Sequence, residues 1–494
     1  MKKHTIRLHP LGKEILVNDQ TPFIDVLQEF GIEFPCGGKG TCGKCKVRLL
    51  NGEIKITETH RQKLDQLELA SDWRLACFSH CTSDITLEIE QFNHLILADE
   101  SEFDFTPQKG YGIAVDLGTT TVVAQLIDLS SAKVLAVETL LNPQLRFGAD
   151  LISRIQACLD GNEEEMTRII RSAIGNMIEL LLRKHPVELQ KIVLVGNTVM
   201  QLIFSDCDVS PLSMYPFHTE NLAMKSFEPE YLGWKFQVSG KVQFYPSIGS
   251  FVGSDILAGI AATGIHRKDS YTALIDLGTN GEIVIGNQNQ IVCASTAAGP
   301  AFEGANISMG MRAVTGAISS LNLVNGKIEA NVIGNTVPKG ICGSALIDAV
   351  AILRKLDLVG SFGEIISGES HIHLAGKVNL SQKDINEFQL AKAAIAAGLT
   401  ILANNLSIEI DEIETIYIAG GFGNYINIEN VVATGMIVLP EEKIHKMGNT
   451  ALIGAKIFLF SGLEVTSEIL AKTRHVNLEG DQNFQDIYVD KMLF

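Results

Sequence analysis

The sequence lacks an apolar run long enough to cross a membrane. Its longest apolar stretch, residues 390–406, is rich in alanine and is interrupted by Lys392, whereas a membrane-spanning helix needs about 20 consecutive apolar residues. We expect this stretch to form a buried helix. The N-terminal segment MKKHTIRLHPLGKEILV also lacks the apolar core of a signal peptide. The sequence therefore predicts a cytoplasmic protein that does not use a membrane as a partner.

Positive charge is scarce as well. The net charge of −17 argues against nucleic acid or an anionic membrane as a partner and favours a protein partner with a basic docking patch. The twelve histidines show no metal-ligand spacing. Nine cysteines fit a reducing compartment in which structural disulfides are not needed.

Four of those cysteines carry the first chemical signal. The loop PCGGKGTCGKCKV and the later RLACFSHC give C-x5-C-x2-C followed by a distant cysteine, the spacing with which thiolates hold a [2Fe–2S] cluster. Glycines in the loop allow tight turns that point N–H groups at cluster sulfides. The predicted ligands are Cys36, Cys42, Cys45 and Cys77, and the glycines are Gly37, Gly38, Gly40 and Gly43.

Two alternatives remain open for these cysteines. The same four side chains have the chemistry to bind zinc, although the glycine-rich spacing favours iron and sulfur. Cys81, four residues after Cys77, is either a spare cluster ligand or a buried thiol.

The surrounding residues 1–92 predict a small α+β ferredoxin-like domain with a β-grasp fold. HTIRLHP and KEILVN alternate as a hairpin with Pro10 and Gly12 at the turn, and residues 21–32 have helical spacing with Thr21 as the cap. Residues 93–110 follow neither period and predict a linker. Such a linker reaches roughly 50 Å when extended.

The rest of the chain contains an internal duplication. Residues 111–128 and 271–287 each read as an apolar strand that ends in Asp-Leu-Gly-Thr and then a returning strand. Residues 191–204 and 415–428 are a second pair, in which a buried strand runs through a glycine turn into a helix. The repeat predicts a two-lobed α/β domain with a cleft, its first lobe at 111–268 and its second at 269–494, which includes a C-terminal extension.

The duplicated turns have the chemistry of a phosphate site. A Gly-Thr turn presents backbone N–H groups and hydroxyls to an anion, and glycine lets the phosphate approach the main chain. Two facing turns can grip a polyphosphate while Asp116 and Asp276 hold Mg²⁺ through water. One such turn alone is usually only a hairpin. The predicted contacts are Gly118, Thr119, Thr120, Gly278, Thr279, Asn280 and Gly281.

DLGTT, DLGTNGE and IAGGFGN resemble the phosphate-1, phosphate-2 and adenosine motifs of the acetate kinase–sugar kinase–heat-shock chaperone–actin (ASKHA) superfamily. The resemblance implies an actin/hexokinase-like ATPase in which Gly420, Gly421 and Asn424 flank adenosine. It also implies that residues 249–260 form a helix between the lobes, with Asp255 near the γ-phosphate. A capping role for that carboxylate is the alternative.

The remaining candidate residues each have two possible roles. Gly343 and Ser344 open an apolar helix and either contact nucleotide or cap the helix. Glu303 either orients the attacking water or belongs to a structural turn, and which of Asp255 and Glu303 acts on water stays open. Gln144, Arg146 and Asp150 either line the cleft or form surface ion pairs.

Segments outside the ATPase motifs narrow the resemblance further. NPQLRFGADLISRI, AAGPAFEGANISMGMRA, GICGSALIDAV and NFQDIYVDKMLF, together with the N-terminal cysteine loop, are similar to the reductive activators of corrinoid proteins. The resemblance implies ATP-dependent transfer of single electrons to a Co(II) corrinoid protein, which regenerates Co(I) for methyl transfer. It also implies an external electron donor, while a homodimer is left open. The short linker departs from the family pattern.

The sequence places the corrinoid on another protein, because no D-x-H-x-x-G segment of a corrinoid carrier is present. Three other functions are kept beside this one. The chain could activate another low-potential enzyme such as a radical dehydratase, although those activators hold a [4Fe–4S] cluster between two subunits. It could also be a redox-sensing phosphotransferase or a non-catalytic module that binds ATP.

Overall fold

The computed structural model describes residues 2–9, 13–27, 30, 32, 34, 40, 43, 45–67, 69–89, 103–296, 298–304, 306–421 and 423–494. Cys36, Cys42, Gly37, Gly38, the predicted turn at Pro10 and Gly12, and residues 93–102 of the predicted linker lie outside the described residues. The same holds for the side chain of Asn424.

The N-terminal domain is built on a five-stranded sheet. Its elements are β1 (Lys3–His9), β2 (Lys13–Asn18), β3 (Thr21–Pro22), α1 (Ile24–Leu27), β4 (Lys46–Asn51), α2 (Glu58–Gln66), β5 (Trp73–Leu75), β6 (His80–Cys81) and β7 (Ile85–Glu88). The strand order is β2-β1-β7-β4-β5, with β1 parallel to β7 and antiparallel to β2. The alternating pattern of β1 puts Ile6 and Leu8 in the core, which confirms the predicted hairpin strands.

One local prediction in this domain is wrong. Thr21 does not cap a helix, because Thr21–Pro22 forms a short strand that pairs with His80–Cys81. This pairing holds the start of α1 beside the segment that carries Cys77, since the N–H of Phe23 donates to the carbonyl of Ser79 (3.0 Å).

The first lobe follows with a six-stranded sheet. Its elements are β8 (Tyr111–Leu117), β9 (Thr121–Asp128), β10 (Lys133–Leu141), α3 (Leu151–Ala157), α4 (Glu163–Lys184), β11 (Leu189–Gly196), α5 (Thr198–Phe204), β12 (Lys225–Phe227), β13 (Val242–Phe244) and α6 (Ser254–Thr263). The strand order is β10-β9-β8-β11-β13-β12.

The second lobe repeats this plan. Its elements are β14 (Thr272–Leu277), β15 (Gly281–Gly286), β16 (Ile291–Thr296), α7 (Gly299–Phe302), β17 (Ala317–Val324), β18 (Lys327–Val332), β19 (Gly340–Ile341), α8 (Gly343–Lys355), β20 (His371–Ala375), β21 (Val378–Ser381), α9 (Gln382–Leu406), β22 (Thr415–Ala419), α10 (Ile428–Ala433), β23 (Ile444–Gly448), α11 (Thr450–Ser461), α12 (Leu463–Lys472), β24 (Thr473–His475) and α13 (Phe484–Met492). The main sheet has the order β23-β22-β14-β15-β16-β24.

The two sheets are related element by element. Each begins with an antiparallel hairpin, β8–β9 or β14–β15, and the strand that follows the crossover, β11 or β22, lies parallel to the first. The orders β10-β9-β8-β11-β13 and β16-β15-β14-β22-β23 are therefore the same. This confirms the predicted duplication and the two-lobed α/β architecture.

The predicted buried helix at residues 390–406 lies within α9, and its Lys392 is buried with the ammonium group directed at the carbonyl of Leu493. Among the described helices, none combines the length and the apolar character needed to cross a membrane.

Two helices join the lobes. α6 packs against α11, and both contact the central strands of the first sheet. A buried cluster between the two sheets includes Val193, Leu257, Leu274 and Leu452. Although α11 comes late in the sequence, it thus completes the core beside the first lobe, where no periodicity in the chain would place it.

The crossing of α6 and α11 requires glycine at one point. A Cβ atom on Gly454 would lie 2.1 Å from the carbonyl oxygen of Ala258. We expect Gly454→Ala to force the helices apart and to lower the free energy of unfolding by about 1–3 kcal/mol, as overpacking does. Chemical denaturation measures this loss. Ser461→Ala, in the same helix and half-buried, is the control, and equal effects of the two substitutions would contradict the close crossing.

Candidate functional site

The start of β4 and the end of β5 bring the backbones of two predicted cluster ligands together. Lys46 pairs with Leu75, so Cys45 lies next to Ala76, whose N–H donates to the Cys45 carbonyl (2.8 Å). Cys77 follows at once, in a 3-10 turn at Ala76–Phe78. Antiparallel pairing therefore brings together the backbones of two cysteines that are 32 positions apart in the sequence.

The described glycines of the loop fit the same purpose. Gly40 and Gly43 have φ of +74° and +66°, which L-residues with side chains rarely adopt. A Cβ on Gly40 would lie 2.2 Å from the ring of Phe78, the neighbour of Cys77. The backbone curvature and the neighbouring positions of Cys45 and Cys77 fit thiolate ligation of a cluster.

No role for His60 was predicted from the sequence, yet this residue supports the region around Cys77. Its Nε2 accepts the N–H of Leu75 (3.0 Å) and its ring stacks on Phe78 at 5.3 Å. Burial lowers the pKa of His60 to about 4, so the imidazole is neutral and can accept that bond. The histidine therefore fixes the strand that leads into Cys77.

Cys81 has a different environment. It is buried, its thiol donates to the carbonyl of Ser83 (3.4 Å), and burial raises its pKa. A protonated, hydrogen-bonded thiol supports the structural interpretation of this residue rather than a role as a spare ligand.

In the ATPase region, the two Asp-Leu-Gly-Thr turns meet between the lobes. The hydroxyl oxygens of Thr120 and Thr279 are 3.2 Å apart. The carboxylate of Glu303 accepts from both, at 3.3 Å from Thr120 and 3.1 Å from Thr279. Glu303 thus lies where both turns converge, which the sequence alone left undecided.

The two lobes use the same contact behind their turns. A Cβ on Gly196 would lie 2.6 Å from the carbonyl oxygen of Leu117, and one on Gly420 would lie 2.4 Å from that of Leu277. In each lobe a parallel strand therefore ends in a glycine pressed against the phosphate turn. Gly420, at φ +90°, is also close to the carboxylate of Asp276.

Gly421 follows it in an exposed position, with open space where a Cβ would stand. Asn424 lies in the adjoining 3-10 turn at Gly423–Tyr425, which leads to α10. The predicted adenosine motif therefore borders the second phosphate turn.

Four carboxylates gather behind the turns. Burial raises the pKa of Asp116 to about 6, and burial together with Asp116 raises that of Asp276 to about 7. Burial and then Asp276 raise the pKa of Asp255, and burial followed by Asp255 and Asp276 raises that of Glu282. Because these groups repel one another's negative charge, a cation would be strongly favoured beside them.

Direct ligation is a separate matter. Among the described residues, no group of three or more His, Cys, Asp or Glu side chains is arranged to hold a metal ion. The second oxygen of Asp116 accepts from the side chain of Asn449 (2.7 Å). That Mg²⁺ is held through water stays a prediction.

Two further candidates, Ser344 and Asp255, have structural partners. Ser344, buried beside Gly343 at the start of α8, donates its hydroxyl to the carbonyl of Ser319 (2.7 Å). Asp255 lies in the first turn of α6 and accepts its neighbour's N–H. Thr119 is buried, and the remaining predicted contacts, Gly118, Gly278, Asn280 and Gly281, lie in the two turns or at the start of β15.

The three open residues of the segment 142–155 are also placed. Arg146 forms ion pairs with Asp25 of the N-terminal domain and with Glu165, both at 3.2 Å. Asp150 caps α3 by accepting from Ser153. Gln144 is buried and bonded to Arg154 (3.2 Å).

Comparison with known proteins agrees with this layout. Family models match three consecutive parts of the chain: residues 6–82 as a 2Fe-2S iron-sulfur cluster binding domain, residues 111–268 as the RACo middle region, and residues 270–494 as the C-terminal ASKHA domain of RACo. The chain is 31% identical to the corrinoid activation enzyme RamQ of Eubacterium limosum, with 98% of each protein covered.

The chain belongs to the RACo family of reductive activators of corrinoid proteins.

Two further relatives of the family are similar over most of the chain. The [Co(II) methylated amine-specific corrinoid protein] reductase of Methanosarcina barkeri is 25% identical over 78% of this chain and 77% of its own. The solved structure of a reductive activator for corrinoid, iron-sulfur protein superposes with a TM-score of 0.68 at 28% identity, covering 99% of this chain and 98% of that one. The predicted resemblance to this family is confirmed. The predicted fold, in which a 2Fe-2S domain is joined to an ASKHA domain, is confirmed as well. The ASKHA domain implies nucleotide binding.

Four residues that sequence reasoning missed now stand out in this RACo-family site: Asn142, Arg154, Glu282 and Asn449. Glu282 ends the motif DLGTNGE and Asn449 precedes an apolar helix, so each had a weak local signal. Asn142 and Arg154 lie in the segment 142–155, in which only Gln144, Arg146 and Asp150 were considered from the sequence as cleft residues.

The cluster site generates the next prediction. Cys77→Ser should abolish the visible absorption of anaerobically isolated protein, because it removes one thiolate, while Cys81→Ser should retain it. Nucleotide affinity should be unchanged in both variants. A full cluster spectrum in Cys77→Ser would contradict the ligand assignment.

The carboxylate cluster generates a pH prediction. The pKa of Asp276 is about 7 in the folded chain, whereas an aspartate ordinarily has a pKa near 3.8. Between about pH 4 and 7 the carboxyl group is therefore protonated in the folded state and ionised in the unfolded state. The free energy of unfolding should therefore fall as pH rises through that window. Asp276→Asn should remove the part of this slope that Asp276 contributes, while Asp116, Asp255 and Glu282 keep theirs, and it should raise stability above pH 7 by roughly 1–2 kcal/mol.

Denaturation at several pH values checks this expectation. The exposed Glu53→Gln is the control, and it should keep the full slope. Identical pH profiles for Asp276→Asn and the unsubstituted protein would show that the buried carboxylate is not protonated as described.

Proposed function

We propose that this protein uses ATP to drive single electrons from a [2Fe–2S] cluster to the Co(II) corrinoid of a partner protein and so regenerates Co(I). The observation that carries the proposal is the convergence of the two phosphate turns and Glu303 in a chain that also joins Cys45 and Cys77. The names of the corrinoid activation enzyme and of the corrinoid protein reductase among its relatives support the choice of target.

The nucleotide would bind between the lobes. Thr120 and Thr279 offer hydroxyls to the phosphates, and the turns offer backbone N–H groups. Asp116 and Asp276 would hold the water shell of Mg²⁺, and the cation would offset the burial and the charge repulsion that raise the pKa of these carboxylates in the protein alone. Gly420, Gly421 and Asn424 would flank adenosine, with the start of α8 at Gly343 and Ser344 nearby.

Glu303 has two tasks in this proposal. Its carboxylate accepts both threonine hydroxyls, as a phosphate oxygen would, so an arriving polyphosphate replaces it there. Once displaced, the carboxylate is positioned to orient the attacking water. Asp255 is the weaker candidate for orienting water, because its side chain already accepts its neighbour's N–H. It would instead contact the water shell of Mg²⁺.

The N-terminal domain would hold the cluster on Cys36, Cys42, Cys45 and Cys77. When bound, the cluster supplies electrons one at a time. An external donor protein or reductant would deliver the electrons. The corrinoid would stay on the partner.

ATP is needed because reduction of Co(II) to Co(I) is uphill from such a cluster. The Thr120–Thr279 contact joins the two lobes at 3.2 Å, and a polyphosphate that binds both hydroxyls must break it. Nucleotide therefore favours one lobe arrangement over the other, which is the condition for ligand-driven conformational change. We propose that this change is transmitted to the bound corrinoid protein.

Reconstitution tests the proposal. ATP hydrolysis by the purified protein should rise when a Co(II) corrinoid protein is added, and the Co(I) absorption should appear only with ATP and a reductant. If the rate of ATP consumption does not change when the corrinoid protein is added but rises with a small substrate, the result would instead support a phosphotransferase.

The role of Glu303 has its own test. Glu303→Gln should lower corrinoid-stimulated turnover by about 100-fold or more, as loss of a general base does, while ATP affinity is unchanged or higher because a negative charge is removed from the phosphate site. Asp255→Asn is the matched variant and should lower turnover less. Equal turnover in Glu303→Gln and the unsubstituted protein would remove Glu303 from the mechanism.

A further inference from the structure

Residues 142–154 wrap the back of the first phosphate turn. The side-chain amide of Asn142 donates to the carbonyl of Gly118 (2.9 Å), and its backbone N–H donates to the carbonyl of Thr120 (2.9 Å). The guanidinium of Arg154 donates to the carbonyl between them, that of Thr119. Three consecutive carbonyls of the turn are thus held by one segment.

These bonds decide where the N–H groups point. In a trans peptide the C=O of one residue and the N–H of the next point in opposite directions. With the carbonyls of Gly118 and Thr119 directed at Asn142 and Arg154, the N–H groups of Thr119 and Thr120 face the other way. That is the side on which a polyphosphate would approach.

The side chain of Arg154 is itself fixed by several hydrogen bonds. It is fully buried, and its guanidinium also donates to the carbonyl of Gly148 (3.1 Å) and to the side chain of Gln144 (3.2 Å). Burial lowers its pKa to about 9, while the negative charges of Asp150 and Glu303 act in the opposite direction. The residue is therefore a cation at neutral pH, fixed directly behind the turn.

We propose that Arg154 and Asn142 are positioning residues for the polyphosphate of the nucleotide. They aim the N–H groups of the first phosphate turn, and Arg154 adds a buried positive charge behind it that favours a bound anion. This inference rests on the proposed function, because it takes ATP as the ligand of the cleft.

The test compares ATP with adenosine, since a positioning role acts on phosphate and a purely structural role does not. Arg154→Gln should weaken binding of a non-hydrolysable ATP analogue with Mg²⁺ by about 10- to 100-fold, in line with the loss of hydrogen bonds from a charged group. Adenosine affinity should stay within about twofold. Arg154→Lys keeps the charge with fewer donors and should bind the analogue with intermediate affinity.

The matched control is Arg171→Gln. Arg171 is a half-buried arginine of the same lobe that also donates to a backbone carbonyl, that of Phe204 (2.8 Å). It should leave both affinities unchanged. Asn142→Ser is a second, smaller perturbation that serves if Arg154→Gln does not fold. It should lower the affinity for the ATP analogue by about tenfold and leave the affinity for adenosine unchanged.

Equal losses of ATP and adenosine affinity in the Arg154 and Asn142 variants would overturn the proposal, as would an Arg154 variant that binds like Arg171→Gln. If the unsubstituted protein itself binds no ATP analogue by calorimetry, the proposed function fails first. The two failures are therefore distinguishable in one set of titrations.

Discussion

The structure depends on the meeting of two β-turns at the boundary between the lobes. Thr120 and Thr279 come within 3.2 Å of each other only because both sheets present equivalent strand ends to the same cleft. The spacing of the lobes is set behind them, where α6 and α11 cross with Gly454 against the backbone of Ala258. Burial and mutual repulsion raise the pKa of the carboxylates at this boundary, which favours their protonated forms.

The segment that wraps the first turn also contacts the iron–sulfur domain. Arg146 lies between Asn142 and Arg154 and pairs with Asp25 of α1, and α1 lies against the turn that contains Cys77. The end of the linker region is attached at a second place, since Phe103 and Phe105 pack on Phe460 of α11. The N-terminal domain therefore contacts the segment that wraps the first turn, and the end of the linker region contacts a helix that joins the lobes.

Sequence patterns predicted the parts whose information is local. The period-2 alternation of β1, the repeated Asp-Leu-Gly-Thr hairpins and the alanine-rich helix around Lys392 all formed as expected. The prediction of Thr21 as a helix cap was wrong because a distant strand, His80–Cys81, pairs with it. Whether the predicted nucleotide contacts bind nucleotide stays a prediction.

By itself the sequence determined the chemistry: the cysteine spacing, the duplicated turns and the family to which they belong. Only the tertiary structure decided which side chains share a site. Glu303 joins Thr120 and Thr279, Asn449 reaches Asp116, and Arg154 reaches the carbonyl of Thr119. Such contacts join residues 24 to 333 positions apart. They follow from how sheets and helices pack, and no local period or motif spacing encodes them.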